Sequence, residues 1–363
     1  MLNTCGRRPV LYLCGSILIL ALAQSSHGEN LPPLDLLKSG KQALLVGNYK
    51  KAEIDLRMAI DAEGASDAVS VLALGELGSL LLTSSRLDEG EAVLNRAIGM
   101  LRTNRTLNSR QLPVLLGMLG DIYQKTGRFR ESEKTLNEAL QLGTKLLGND
   151  PLNLADLYND IGVLHLKTGN RSQAEKNFKK ALALAESPVP GNGPHLAPIL
   201  ANLASLYFFQ EKWSLAESAL LRSLHTVEQS LGPEHPDVCA LLNNLGVFYS
   251  QQGRLSESET MHRRALALRR ETFGSENPYT ALSAANLADV LAARGSNDEA
   301  AALFAEALKT QERTLDPESP EVAATLEKYA RLLRRTKNDV LAVQMEDRAN
   351  AIRLERAYTV RVK

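Results

Sequence analysis

A repeat of fixed length governs what this 363-residue chain can fold into. The segments TGRFRESEKTLNEALQLGT (126–144) and QGRLSESETMHRRALALRR (252–270) share the order Gly-Arg-apolar-x-Glu-Ser-Glu, followed by Ala-Leu. Glycine, or a residue in its place, stands at the same point of eight such segments, at positions 47, 85, 127, 169, 211, 253, 295 and 337. The first step is 38 residues and the six others are 42. Such regularity indicates a stack of one repeated supersecondary unit.

Small residues keep the same register as this marker position. Twelve residues after it stand Ala59, Ala97, Ala139, Ala181, Ser223, Ala265, Ala307 and Ala349. Upstream of it stand Gly78, Gly120, Gly162, Ala204, Gly246, Ala288 and Ala330. A further small column follows the marker at Ala52, Gly90, Ser132, Ala174, Ala216, Ser258, Ala300 and Ala342. Because helices approach closely only where side chains are small, these columns predict tight helix contacts, with Ala265 buried between helices.

Each unit reads as two helices. Apolar residues recur at helical spacing in PDVCALLNNLGVFYSQQ (236–252) and again in LSESETMHRRALALRRETF (255–273). Gly253 separates the two segments and suits a left-handed helix end. Pro236, Pro278 and Pro320 stand where the next helix is expected to begin. The chain is therefore expected to be all-α.

The repeat carries a family resemblance. Leu119-Gly120-x-x-Tyr123 and Ala174-x-x-x-Phe178 resemble the tetratricopeptide repeat, and connectors such as LGPEHPDV (231–238) resemble its kinesin light chain type. The connector AESPVPGNGPHLAP (185–198) departs from that pattern. The resemblance implies a right-handed superhelical solenoid of about eight helix-turn-helix repeats over residues 34–355, with units centred near the marker positions.

The N-terminus has the three parts of a secretory signal. Arg7 and Arg8 precede the apolar run 10–23, and Ala21-Leu22-Ala23 offers a small-x-small cleavage site. We therefore expect a signal peptide at 1–23, a linker at 24–33, a C-terminal tail at 356–363, and a periplasmic or secreted protein. An uncleaved segment that anchors the chain is the alternative. The mature chain then retains only Cys239, in an apolar stretch that predicts a buried structural thiol.

Composition and motifs argue against several functions. Lys+Arg and Asp+Glu are both 42, so the chain lacks the positive charge typical of nucleic-acid binders. Aromatic residues make up 5%, which leaves few platforms for stacking bases. No zinc-protease motif, P-loop, EF-hand loop or CxxC occurs in the sequence. We expect no enzyme activity, no cofactor, no metal, no small-molecule substrate, no nucleic acid and no membrane span after signal cleavage.

Candidate binding residues follow from the resemblance, which implies a concave groove lined by the first helix of each repeat. The column two positions before the small Gly or Ala contains Asp160, Asn202, Asn244 and Asn286. With their neighbours in the groove, the predicted peptide-binding residues are Asn202, Asn244, Asn286, Asp160, Asn159, Asn243, Lys125, Lys167 and Gln251. An asparagine amide both donates and accepts, so the Asn ladder suits a peptide backbone, and the lysines suit a carboxylate. Alternatively, the ladder bridges adjacent repeats.

The leading hypothesis is a non-enzymatic scaffold that binds an extended peptide or a helix of another protein in this groove. The alternative is a structural subunit of an exported or envelope complex, assembled through the convex face or the ends of the solenoid. Glu346 replaces the usual apolar residue in the last unit and predicts a polar cap, which counts against open-ended stacking.

Overall fold

The structure is a computed structural model that describes residues 31–104, 106–148, 150–186, 192–315 and 317–362, with side chains up to residue 355. These described residues contain sixteen α-helices and no strand, which confirms the all-α helical-repeat fold. The predicted signal peptide and most of the predicted linker lie outside them. Helix α16 continues to Val362, beyond residue 355, where the repeat region is expected to end. The remaining domain bounds stay predictions.

The helices form eight consecutive pairs, one around each marker position. The first five pairs are α1 (Pro33–Leu45) and α2 (Tyr49–Asp61), α3 (Asp67–Thr83) and α4 (Leu87–Thr103), α5 (Leu112–Lys125) and α6 (Phe129–Leu146), α7 (Pro151–Lys167) and α8 (Arg171–Ala185), and α9 (Gly193–Phe209) and α10 (Trp213–Leu231). The last three are α11 (Val238–Gln251) and α12 (Leu255–Phe273), α13 (Pro278–Arg294) and α14 (Asn297–Thr314), and α15 (Pro320–Arg335) and α16 (Asp339–Val362). A short 3-10 turn, Ser109–Gln111, precedes α5.

The described chain divides into two compact units. The N-terminal unit, residues 31–231, holds the first five pairs, and the C-terminal unit, residues 232–362, holds the last three. We call the first helix of each pair the A helix and the second the B helix. Within each unit, A helices of neighbouring pairs contact each other, as α5 contacts α7 and α13 contacts α15. Within a unit, a B helix also contacts the A helix of the next pair, as α6 contacts α7 and α14 contacts α15.

The small columns are the places where helices touch. All eight residues of the column that includes Ala265 are fully buried, so the expected burial of Ala265 is confirmed. The glycines of the upstream column, such as Gly120 and Gly162, each face a large side chain from the B helix of the same pair. A Cβ added at Gly120 would lie 2.6 Å from Leu136 Cδ2, and one at Gly162 would lie 2.5 Å from Phe178 Cε1. Nothing larger than glycine fits there without a shift of the partner side chain.

Serines in these columns satisfy their hydroxyls across the same contacts. Ser132 Oγ donates to the Gly120 carbonyl oxygen (2.9 Å), and Ser258 Oγ donates to that of Gly246 (2.7 Å). Ser223 Oγ donates to the Ala197 carbonyl oxygen (2.7 Å). A hydroxyl is therefore tolerated between packed helices because the facing backbone accepts its proton.

The turns inside the pairs explain the marker column. Gly127 and Gly253 have φ values of 77° and 72°, in the left-handed region that glycine adopts without strain. Glu211 takes the same conformation with φ 60°. The expected helix starts are correct for α13 and α15, whose first residues are Pro278 and Pro320. The expectation for Pro236 is wrong because the Val238 amide bonds to the His235 carbonyl oxygen (2.9 Å), so a turn precedes α11.

The C-terminal pair ends in charged contacts. Glu346 accepts a hydrogen bond from Arg334 Nη2 (2.7 Å), and Asp339 accepts one from Arg334 Nη1 (3.3 Å). Both contacts are exposed, which is consistent with the polar cap expected from Glu346. Cys239 in α11 is 1% exposed, as expected for a structural thiol, and burial raises its pKa.

One large side chain at these helix contacts is titratable. His262 lies where Leu136 and Phe178 lie in other pairs, and its ring nitrogen Nε2 would be 2.5 Å from a Cβ added at Gly246. It is 2% exposed, and its buried Nδ1 has no hydrogen-bond partner among the described residues. Burial lowers the pKa of His262 to about 4, and the charges of Lys328 and Arg269 act in the same direction. The folded C-terminal unit therefore favours the neutral ring.

This burial predicts a loss of stability in acid. Unfolded histidine titrates near pH 6.5, so between about pH 6.5 and pH 4 the unfolded chain binds more protons than the folded one. The free energy of unfolding of the C-terminal unit should fall by roughly 2–3 kcal/mol over that range. His262→Phe, which installs the residue found at Phe178, should remove this part of the pH dependence. Urea unfolding of both proteins by circular dichroism measures it, and equal pH dependence in both would contradict the assignment.

Candidate functional site

The predicted groove residues lie on the A helices, and most of them are buried. Asn202 is 0% exposed, Asn244 1%, and Asn159 and Asp160 2%. Asn243 and Asn286 are each 8% exposed. The side chains of Lys125, Lys167 and Gln251 reach solvent at the C-terminal ends of their A helices. We call the surface formed by the A helices within each unit the A-helix face. Lys125, Lys167 and Gln251 are exposed on this face, whereas the predicted asparagines are buried in it.

The buried asparagines connect neighbouring repeats. In the N-terminal unit, Asn202 Nδ2 donates to Asn159 Oδ1 (2.9 Å). In the C-terminal unit, Asn286 Nδ2 donates to Asn243 Oδ1 (2.6 Å), and Lys328 Nζ donates to Asn286 Oδ1 (2.7 Å). Asn202 and Asn286 of the ladder thus bond to the preceding repeat, whereas the buried Oδ1 of Asn244 has no hydrogen-bond partner among the described residues. A peptide could reach Asn202 only after the side chains around it move.

The two predicted lysines share a polar site in the N-terminal unit. Lys125 Nζ lies 3.3 Å from Asp121 Oδ2, on the same helix. Lys167 Nζ, one repeat further, donates to the Gln124 carbonyl oxygen (3.3 Å). Burial lowers the pKa of Lys167, and Lys125 lowers it further, while Asp121 opposes the shift. The Asp121 carboxylate thus interacts with both ammonium groups, and the pKa of Lys167 stays lowered beside it, which suits the site to an additional anion.

Gln124 belongs to this site and was missed by the sequence analysis. It is 2% exposed, and its Nε2 donates to the Asp160 carbonyl oxygen one repeat away (2.9 Å). Its backbone oxygen also receives Lys167. Its position in the repeat could have indicated this role, because Leu82 and Leu166 occupy the same place in the neighbouring repeats. A buried polar residue between two apolar neighbours of its column needs a polar partner.

Several charges elsewhere on the described surface are paired within the chain. On the A-helix face of the C-terminal unit, Arg331 Nη2 lies 3.2 Å from Asp289 Oδ1. Between B helices, ion pairs connect residues 36 apart in sequence, such as Arg102 with Glu138 (2.7 Å) and Arg270 with Glu306 (2.8 Å). Such pairs contribute little individually, but they leave these regions without an excess of charge.

Two further properties concern the described part of the chain alone. No described helix is both long and apolar enough to cross a membrane. The described residues also bring no three His, Cys, Asp or Glu side chains together in a way that could hold a metal ion.

The repeats match a known family. The family model of the tetratricopeptide repeat matches residues 111–187, 195–271, 237–312 and 279–355, which together exceed half of the chain. The chain therefore belongs to the tetratricopeptide repeat family, as its sequence motifs indicated. Repeats of this family generally mediate protein–protein interactions and assembly, and its members are typically non-enzymatic scaffolds. No curated protein matches the chain.

Solved structures resemble the chain at low sequence identity. TPR-like repeats of the kinesin light chain type from Podosopora anserina are 22% identical, over 57% of this chain and 98% of theirs, with a TM-score of 0.49. The apo quorum sensor NprR from B. thuringiensis is 14% identical, over 88% of this chain and 87% of its own, with a TM-score of 0.61. The APC/C hetero-tetramer Cut9-Hcn1 is 17% identical, over 87% of this chain and 52% of the other, with a TM-score of 0.60. At these identities the similarity concerns the fold.

The bridging contacts predict different effects for two neighbouring asparagines. Asn286→Ala removes the partner of both Asn243 and Lys328, so it should lower the free energy of unfolding by about 2–3 kcal/mol. Asn244→Ala is the matched control, because it removes the same atoms from a residue whose buried Oδ1 has no hydrogen-bond partner among the described residues. Its cost should be clearly smaller. Urea unfolding compares the two, and equal losses would show that the bridges add nothing.

Proposed function

We propose that this chain is a non-enzymatic binding protein whose A-helix face in the N-terminal unit holds an acidic, extended segment of another protein. The observation that carries the proposal is the lysine site, where Lys125 and Lys167 both interact with the Asp121 carboxylate. A carboxylate of the partner placed beside Lys167 would restore its ordinary pKa and offset the repulsion from Lys125. The family's general role in protein–protein interaction supports the same conclusion.

Under this proposal, the predicted site residues have two different roles. Lys125 and Lys167 contact the partner directly because they reach solvent, and Gln251 reaches solvent separately in the C-terminal unit. Asn159 and Asn202 connect α7 to α9, and Gln124 connects α5 to α7, so these amides fix the spacing of neighbouring A helices through their hydrogen bonds. Specificity then comes from the exposed residues, while the asparagines keep them in place.

Two fold relatives are compatible with such a role. NprR is a quorum sensor, and Cut9-Hcn1 is a hetero-tetramer. We further propose export, on the basis of the signal-like residues 1–23, so that the partner is a periplasmic or extracellular protein. Fusion of residues 1–30 to a reporter that is active only outside the cytoplasm tests export, and an inactive reporter contradicts it.

The lysine site predicts a charge-specific loss of binding. Random peptides displayed on phage are selected on the full chain, and their affinities are measured by fluorescence polarisation. The selected peptides should be enriched in Asp and Glu, and Lys125→Gln with Lys167→Gln should weaken them at least about tenfold, because each charged hydrogen bond is worth about 1.5–3 kcal/mol.

The chain offers a matched control for this experiment. Lys134 and Lys176 are exposed on B helices, are also 42 residues apart, and make no ion pair among the described residues. Lys134→Gln with Lys176→Gln should leave the affinities unchanged. Equal binding by the wild type and the Lys125/Lys167 variant would contradict the proposal. Peptides that lose affinity only for the Lys134/Lys176 variant would instead favour assembly through the surface formed by the B helices.

A further inference from the structure

A cluster of aromatic rings lies at the turn between α9 and α10. The Phe208 ring packs edge-to-face against Phe209, with centroids 6.1 Å apart, and against Trp213, with centroids 5.2 Å apart. Phe209 remains 37% exposed and Trp213 38%. Leu215, in the first turn of α10, is 51% exposed. We call Phe208, Phe209, Trp213 and Leu215 the ring surface.

Two residues of the ring surface occupy positions that are polar in most other repeats. The position of Phe209 is held by Lys125, Lys167 and Gln251 in three other repeats and by Ala293 in a fourth. The position of Leu215 is held by Glu131, Gln173 and Glu257. The fold therefore does not require apolar residues at these places. Large apolar residues stand at both positions only in this repeat, which indicates a local use of apolar surface.

The same turn lacks an ion pair that other turns have. Arg86 pairs with Glu89 (2.7 Å), Arg128 with Glu131 (2.5 Å), and Arg254 with Glu257 (2.8 Å). Lys212 and Leu215 occupy the corresponding positions at the turn between α9 and α10. A neutralised pair is thus replaced by a cation and an exposed apolar side chain, and Lys212 Nζ lies 5.9 Å from the centroid of the Tyr207 ring.

A second cation borders the rings. The Arg171 guanidinium lies 5.6 Å from the centroid of Phe209, and its Nη1 donates to the Phe209 carbonyl oxygen (3.4 Å). Among the described residues, no carboxylate forms an ion pair with Arg171. A carboxylate from outside could therefore bind the guanidinium without displacing one from this chain, while an adjacent apolar side chain packs on the rings.

We propose that the ring surface and Arg171 form a docking site for a protein segment that carries an apolar side chain next to an acidic residue. The rings supply apolar contact area at low entropic cost, and Arg171 supplies the charge that complements the acid. This site is separate from the lysine site of the proposed function, since it uses neither Lys125 nor Lys167.

The experiment uses the full chain and the only tryptophan of the sequence, Trp213, as its probe. Peptides selected from a random phage-displayed library on the wild type are retested on Phe209→Gln with Leu215→Glu, which installs residues found at Gln251 and Glu257. They are also retested on Lys125→Gln with Lys167→Gln. One class of the selected peptides should carry an apolar residue within about three positions of Asp or Glu. These peptides should bind the Phe209/Leu215 variant at least about tenfold more weakly than the wild type, and the Lys125/Lys167 variant as tightly as the wild type.

Fluorescence then locates the binding. These peptides should shift Trp213 emission to shorter wavelength and protect it from acrylamide quenching, because the indole loses water on binding. Arg171→Gln should retain binding but lose the preference for acidic peptides. Ile54→Lys with Met58→Arg removes two exposed apolar side chains of α2 and should change nothing. Phe209→Tyr, which keeps the ring, should bind normally.

The two proposals fail in different ways. The absence of any peptide class that depends on Phe209 and Leu215 would overturn the docking site, whether or not peptides that depend on the lysines are found. Binding that leaves Trp213 emission unchanged, or that shows no preference for acidic peptides on the wild type, would also overturn it. Loss of the lysine-dependent class alone would contradict only the proposed function.

Discussion

The contact between a glycine or alanine of an A helix and a large side chain of its B helix determines the rest of this structure. Gly120 receives Leu136, Gly162 receives Phe178, and a Cβ at either glycine would come within 2.6 Å of the partner side chain. Dense packing of this kind leaves no room for a shift of one residue along either helix. It therefore sets the distance between the two helices of each pair. Because the contact recurs with the 42-residue repeat, successive pairs of each unit share that distance.

Because the packing contacts occupy only a few positions in each repeat, the remaining positions can vary. On the A-helix face they hold buried amides that bond between neighbouring repeats, as Asn202 bonds to Asn159. On the B helices they hold charges that pair, as Arg102 pairs with Glu138. Lys167 and the rings around Phe209 reach solvent beside these contacts, and our two proposals assign them to partners. Function in this fold thus resides in positions that the packing does not specify.

The sequence predicted the features that depend on periodicity. Eight helix pairs, the left-handed turn at Gly253 and the buried column of Ala265 all follow from residues that recur at fixed steps. Features that depend on one side chain could not be read in this way. Whether Asn286 contacts a partner in the groove or bonds to a neighbouring repeat depends on the orientation of its side-chain amide. Its hydrogen bond with Lys328 is visible only in the structure. Pro236 likewise precedes its helix because of a local turn that spacing does not encode.

The most direct test of this account compares two glycines of helices in the N-terminal unit. A Cβ added at Gly120 would meet Leu136, whereas one added at Gly99 would have no neighbour within 4 Å. Gly120→Ala should lower the free energy of unfolding by about 1–3 kcal/mol because the contact is overpacked. Gly99→Ala should raise it by up to about 1 kcal/mol because alanine favours the helix. Urea unfolding measures both changes, and stabilisation by Gly120→Ala equal to that by Gly99→Ala would contradict the central role of the small-to-large contact.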